Sequence, residues 1–171
     1  MRWLSEAEVA DVFRIALRTV ASTVSIVTAT DGERHHGMTM TAVMSVSMRP
    51  ASLAICTNRS TLLHDVLTNG SAFCVNFLRE DQSDLSMLFS APATSGERFA
   101  AGDWDVDPRG PRRLRNAQAS VLCLKSNQVD HGTHTLFIGD VIDVATESTP
   151  GPLLYHNASY CRSQPGRAAV A

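Results

Sequence analysis

Apolar and polar positions change their period several times along this chain, and each change predicts an element. Ser5-Glu6-Ala7-Glu8 has the S-x-x-E form of a capping box. Behind it Val9, Val12, Phe13, Ala16, Leu17 and Val20 recur at helical spacing, which predicts a helix over about residues 6–19. From Ser22 to Thr30 the chain turns β-branched, STVSIVTAT, and Asp31-Gly32 marks a turn. Alternation from Gly37 to Met48 predicts one continuous strand ending near Arg49-Pro50, and Ser52 to Thr57 predicts a short buried one. Ser60 is placed to cap a helix carrying Leu62, Leu63, Val66 and Leu67, with Gly70 as its stop. Ala72 to Leu78 reads as a strand and Glu80 to Ser90 as a short helix. Ala91 to Arg113, rich in Gly, Pro, Asp and Arg, reads as a long loop of the kind that often carries function. Ala119 to Ser126, Thr135 to Thr146 and Leu153 to Tyr160 read as strands, and the small polar tail over 163–171 as frayed.

These strands are not regularly separated by helices, so a doubly wound parallel sheet is excluded in favour of a mainly β, antiparallel barrel with peripheral helices. Neither G-x-G-x-x-G nor G-x-x-x-x-G-K-[ST] is present, so phosphate binding of the Rossmann or P-loop kind is not expected. The 171 residues fit one domain, 1–171, and 44% hydrophobic with 19% charged residues suffices for a real core. The net charge of −2 argues against a nucleic-acid partner. The arginines between Arg109 and Arg115 read as a solvated loop. No run approaches the roughly 20 apolar residues of a membrane span, and Glu6, Glu8 and Asp11 make the start unlike a signal peptide. Cys56, Cys74, Cys123 and Cys161 lie far apart without a C-x-x-C, as in a reducing compartment. A soluble, cytoplasmic protein without a membrane or nucleic-acid partner is the expectation.

The segment from Gly37 to Thr61, GMTMTAVMSVSMRPASLAICTNRST, concentrates the candidate chemistry. Small hydroxyls and open amides beside an isolated cation suit a phosphate on a flat, partly apolar ligand. Thr39, Thr41, Ser45 and Ser47 alternate along one strand; they are either the solvent face of an ordinary sheet or, with the amides of Met40, Thr41, Ala42 and Val43, a ligand edge. Asn58-Arg59-Ser60-Thr61 precedes a helix, whose N-terminal amides favour an anion. Ser60 as a plain cap and Arg59 as a solvated cation is the alternative. His131, His134 and Cys123 make a poor tetrahedral set, so no metal is expected. Without a G-x-S-x-G elbow, no hydrolase triad is expected.

Taken in order, the segments FRIALRTVASTVSIVTA, GMTMTAVMSVSMRP, SLAICTNRST, FCVNFL, DLSMLF, ERFA with Trp104 after it, THTLFIGDV and PLLYHNASY resemble the flavin reductase family, over about residues 12–160. The resemblance implies an antiparallel Greek-key split β-barrel in a homodimer, with flavin in a groove near the subunit interface. It implies reduction of free FMN or FAD by NADH or NADPH, with reduced flavin passing to a separate flavin-dependent monooxygenase. The flavin segment carries over onto Gly37, Met38, Thr39, Met40, Thr41, Ala42, Val43 and Ser45, and onto Cys56, Thr57, Asn58, Arg59, Ser60 and Thr61. Phe89, Arg98 of the Arg98-Phe99 pair and Tyr160 are implied at the pocket, and His134 on the nicotinamide side as the catalytic candidate. Where members often carry Gly-Asp-His, this chain reads Gly132-Thr133-His134, which keeps the histidine and lacks the acid. A split-barrel module that holds flavin or haem without turnover is the alternative from another class. An oxidase of phosphorylated pyridoxine-type compounds would call for a second cluster of basic residues, which the sequence lacks.

Overall fold

The computed structural model describes residues 3–105, 107, 110–149, 151–164 and 166. Arg109 of the arginine run and most of the tail predicted to fray lie outside the described residues. Helix α1 (Glu6–Arg18) opens the chain with the full capping box on Ser5 and Glu8. Short β1 (Ser22–Thr23) is followed by β2 (Ser25–Thr30), β3 (His35–Met40), β4 (Val43–Met48) and β5 (Ala51–Asn58). Then come α2 (Leu62–Asn69), β6 (Ala72–Phe77), α3 (Ser83–Ser90), α4 (Ser95–Ala100), β7 (Trp104–Asp105) and β8 (Arg113–Leu114). The 13-residue strands β9 (Ala119–His131) and β10 (His134–Thr146) make a long hairpin, and β11 (Leu153–His156) with β12 (Ser159–Arg162) makes a short one.

Seven strands form one antiparallel sheet in the order β3-β2-β6-β9-β10-β5-β4. Its two edge strands, β3 and β4, are consecutive in the chain and joined only by Thr41 and Ala42. A two-residue link can connect opposite edges only if the sheet has rolled round on itself, so the sheet is a barrel left open along the β3–β4 seam. The single strand expected over Gly37–Met48 is therefore corrected to two. At the break Val43 N–H bonds the Thr41 carbonyl at 2.9 Å, closing a three-residue turn, and Cys56 N–H bonds the Ala42 carbonyl at 3.1 Å. The Ala91–Arg113 loop is likewise corrected, since α4, β7 and the start of β8 lie in it. The last strand is corrected to a hairpin that turns on Asn157 and Ala158, both at positive φ.

Two cores hold the barrel. Val27, Ala29, Ile55, Phe73, Val75, Cys123 and Phe137 fill its interior, with Leu63, Val66 and Leu67 of α2 plugging one end. Val24, Ile26, Leu78, Phe89, Trp104, Leu114 and Leu153 form the second core beneath α3, α4 and β7–β8. Strand β2 is buried at every position, and its alternate residues feed the two cores in turn, which is why its sequence shows no polar face. Each valine, leucine, isoleucine or phenylalanine of the two cores contributes about 1.5–3 kcal/mol on burial. Burial pushes the thiols of Cys74 and Cys123 up to about 12, so they pack as small apolar groups. No helix among the described residues is long and apolar enough to cross a membrane.

Candidate active site

The barrel brings three stretches of the predicted site to one rim. Cys56, Thr57 and Asn58 lie directly opposite Leu136, Thr135 and His134 in the β5–β10 pairing. Arg59 N–H donates to the Thr133 carbonyl at 2.9 Å, which fastens the turn after β5 to the tip of the β9–β10 hairpin. The Ala42 carbonyl, bound by Cys56, adds the β3–β4 link to the same rim. A cleft of about 610 Å³ opens here, lined by Cys56, Leu136, His134, Thr133, Val129 and His131 among others. Strand alternation sets the faces: Thr57, Thr135 and Phe137 point inward and are buried, while His134 lies exposed on the outer face.

The turn from β5 into α2 is tightly self-bonded. The Asn58 side-chain oxygen accepts from Ser60 N–H and Ser60 Oγ, both at 2.9 Å. Thr61, not Ser60, caps α2: its Oγ1 accepts from His64 N–H at 3.2 Å and donates to the Asn58 carbonyl at 2.8 Å. The cap expected at Ser60 is corrected, because Ser60 sits one residue too early and its hydroxyl is taken by Asn58. Thr57 Oγ1 lies 3.1 Å from Thr61 Oγ1 on the buried side. In the first turn of α2 the amides of Leu62 and Leu63 have no acceptor among the described residues. The Arg59 guanidinium is 53% exposed and reaches its nearest carboxylate, Asp130, only at 4.0 Å. Such a pair is worth little, so the cation remains available to an anion. Arg59, two unspent amides and several hydroxyls fit the phosphate of a flavin nucleotide. Arg59→Ala is expected to weaken FMN binding about five- to tenfold, the worth of one exposed charge-assisted contact; a fluorescence titration measures it, and an unchanged dissociation constant contradicts the assignment.

His134 begins β10, and its Nδ1 lies 2.9 Å from Thr133 Oγ1. The neighbouring hydroxyl thus orients the imidazole in a Gly132-Thr133-His134 turn whose sequence lacks the acid. Behind the rim runs a chain that the sequence reading missed. Asp130 Oδ1 accepts from Thr135 Oγ1 at 2.6 Å, and Thr135 Oγ1 lies 2.9 Å from His64 Nε2. The His64 ring also meets Phe137 edge-on at 5.5 Å. The chain ties α2 to the β9–β10 hairpin. Only the alternation of β10 with the hairpin register could have exposed it.

Gly37, Met38, Thr39 and Met40 belong to β3 itself, and Phe89, Arg98 and Tyr160 pack around it. Gly37 is buried with Phe89 against it: an added Cβ would meet Phe89 Cε1 at 2.7 Å. Phe89 is 0% exposed and packs on Phe99 and Trp104, so it supports β3 instead of touching a ligand. Met40 is buried in the barrel core with Met38 packed beside it. Thr39 Oγ1 donates to the Ser86 carbonyl at 2.7 Å, and Tyr160 OH lies 2.8 Å from Ser86 Oγ, so both hold α3. Arg98 is buried and makes no pair with a carboxylate among its hydrogen bonds. Nη1 reaches His36 Nε2 at 3.0 Å and the Gly37 carbonyl at 2.9 Å, and Nη2 the Ala91 carbonyl at 2.7 Å. Thr41 and Ser45 are exposed and Val43 is half-buried.

Because Arg98 only donates, His36 Nε2 accepts, and His36 is neutral with its proton on Nδ1. Burial, and then the Arg98 charge, lower its pKa to about 4. In the unfolded chain the group titrates near 6.5. The unfolded state therefore binds more protons between these values. Stability from this group is fully present above pH 6.5 and is lost as pH falls towards 4, at up to about 1.4 kcal/mol per pH unit. Denaturant melts of the protein and of His36→Gln across this window should show the slope shrink in the variant; equal slopes would contradict it.

The chain is similar to known reductases along most of its length. The chain is 43% identical over 155 residues to the reductase component of an FADH(2)-dependent resorcinol hydroxylase from Rhizobium sp., covering 90% of this chain and 87% of that protein. It is 34% identical over 148 residues to the FMN reductase (NADH) RutF of Pseudomonas syringae pv. syringae, covering 86% and 83%. Among solved structures, the styrene monooxygenase flavin reductase of Pseudomonas putida S12 superposes with a TM-score of 0.79 at 28% identity, covering 90% of this chain and 98% of that one. Flavin reductase PheA2 does so with 0.79 at 27% identity, covering 95% and 100%. Residues 17–164 match the family described as the flavin reductase like domain, and the chain belongs to that family.

Proposed function

We propose that this protein is an NAD(P)H-dependent flavin reductase that reduces free FMN or FAD and supplies the reduced flavin to a separate monooxygenase. The observation that carries the reading is the rim itself, where the turn holding a weakly paired Arg59 and the Thr41–Val43 link are each hydrogen-bonded, through Thr133 and Cys56, to residues lining the open cleft of His134. Relatives named as a reductase component and as FMN reductase (NADH) support the reaction and its reductant. Flavin, when bound, supplies the acceptor for a hydride from reduced nicotinamide. The chain's own work is binding and placement. Arg59 and the first turn of α2 hold the phosphate, and Thr41 and Ser45 offer hydroxyls to the ring edge. His134, oriented by Thr133, hydrogen-bonds the nicotinamide donor without taking its hydride. A module that only stored flavin would not need an exposed histidine beside an open cleft. The test is steady-state oxidation of NADH and NADPH with FMN, with FAD and with neither. Oxidation only when flavin is added is the expected result, and none at saturating flavin would end the proposal.

The reading includes a homodimer and a cytoplasmic location. Unpaired cysteines support the latter. For the former, edge strand β4 exposes Met44, Val46 and Met48, and Met44 and Met48 share a groove with the exposed Val144 of β10, apolar surface that a partner would cover. An apolar groove of about 440 Å³ runs beneath it. A second copy on this face would also cover the open seam. Met48→Glu is expected to shift the species in analytical ultracentrifugation from dimer to monomer; a variant that sediments unchanged contradicts this interface.

A further inference from the structure

We infer that the cleft between α1 and the β11–β12 hairpin is an adenylate subsite, which takes the AMP half of a dinucleotide whose other half lies at the rim. The inference rests on the reductase reading and adds a second binding place to it.

The cleft measures about 380 Å³, within the range of small-molecule sites. One wall is α1, where Phe13 and Leu17 lie four residues apart, as do Arg14 and Arg18, so both pairs stack along one side of the helix. The other wall is the hairpin, with Tyr155 and His156. Asn157 N–H donates to the Arg18 carbonyl at 2.9 Å and locks the hairpin to the end of the helix.

Each half of an adenylate finds its chemistry here. Arg14 is bonded to Asp11 at 2.8 Å, which spends part of its charge. Arg18 has no hydrogen bond or ion pair from its guanidinium among the described residues, although it lines the cleft. A cation at a helix C-terminus complements the dipole, but the last carbonyl of α1 already has its donor in Asn157. A phosphate is the partner that Arg18 lacks. For the purine, Tyr155 offers a partly exposed ring. That ring is propped edge-on by Tyr160 at 5.6 Å, and Tyr160 is itself anchored to Ser86. Asn157 and Ala158 sit at φ 48 and 61, the two left-handed residues that the two-residue turn of this hairpin requires, which fixes the wall of the cleft.

The position relative to the rim matters most. Thr41 lines this cleft, and the carbonyl of its neighbour Ala42 binds Cys56, which lines the cleft beside His134. One link of chain separates the two places. A dinucleotide carries two ring systems on a pyrophosphate tether and can occupy both, whereas FMN can occupy only one. The adenylate belongs either to FAD or to the nicotinamide reductant.

The test uses 5′-AMP as the probe, with wild type, Arg18→Ala and Arg18→Lys, each checked for folding by circular dichroism. Wild type should bind 5′-AMP, and 5′-AMP should compete with a dinucleotide. Arg18→Ala should weaken 5′-AMP at least fivefold, with partial recovery in Arg18→Lys. A matching loss of FAD affinity with FMN affinity kept assigns the adenylate to FAD. A matching rise in the KM for NADH, measured with FMN as acceptor, assigns it to the reductant. Absence of 5′-AMP competition, or an Arg18→Ala protein with unchanged FAD affinity and unchanged KM for NADH, overturns the subsite. The reductase reading fails separately, if wild type with FMN does not oxidise NADH at all.

Discussion

Replacing His134 by Ala is expected to lower kcat/KM for NADH by about 10–100-fold while leaving the flavin dissociation constant within about twofold. A loss of this size is what misplacement of a reacting partner by an ångström or so costs, roughly 1.4–2.7 kcal/mol. Hydride transfer requires no base, so the variant should retain turnover and fail mainly in positioning. Flavin affinity is expected to be spared because the contacts proposed for the phosphate are at Arg59 and the α2 amides, not at His134. The Thr133 hydroxyl 2.9 Å from Nδ1 gives the effect a second readout. Thr133→Val, which keeps the shape and removes the hydrogen bond, should reproduce part of the loss in KM with little change in kcat. Equal losses in flavin affinity and in kcat/KM for NADH would remove the role given to His134.

Gly139→Val is expected to abolish the folded protein or to lower its melting temperature by more than about 10 °C. Gly139 lies inside β10, at a register shift in its pairing with β9. A Cβ there would stand 2.6 Å from Phe73 Cζ and 2.7 Å from both Phe73 Cε1 and Cys123 Cβ. Phe73 and Cys123 are wholly buried, so neither can swing aside. Overpacking a core by one methylene costs about 1–3 kcal/mol, and valine adds three carbons. For a chain of this length each kcal/mol moves the midpoint by roughly 2–4 °C. Relief from the other side gives the check: Phe73→Leu should restore part of the stability of Gly139→Ala, so the double mutant loses less than the sum of the singles. Strict additivity would mean that the ring and the glycine do not meet. Since β10 also carries His134, loss of its register removes the site with the fold.

The elements that were legible in the sequence are those where local pattern and final environment agree. α1 follows its capping box, and β2 and β6 follow their β-branched and aromatic runs. The Arg59 turn follows from polar residues placed before a helix. What was not legible is where tertiary pairing overrides local alternation. Thr41-Ala42 carries neither Gly nor Pro, and the alternation runs through it unbroken, yet the chain leaves one edge of the barrel there and joins the other. The turn at Asn157-Ala158 is only half marked, since Asn157 suits a positive φ but Ala158 does not announce one. The split of the expected site into an open rim and a buried support has the same cause. Thr39 and Thr41 look alike in sequence, but Thr39 spends its hydroxyl on Ser86 in α3 while Thr41 stands free in a cleft. Phe89 and Arg98, which the resemblance implies at the pocket, instead brace β3 through Gly37, and a single sequence does not separate support from contact.

The rim is expected to bring reduced nicotinamide to a flavin that the protein does not own. Anaerobic mixing of the purified protein with NADH and excess free FMN measures this directly. The expected result is bleaching of oxidised FMN, mole for mole with NADH consumed, many turnovers per protein. Bleaching that stops at one flavin per protein, or NADH left unconsumed while FMN is bound, would contradict it.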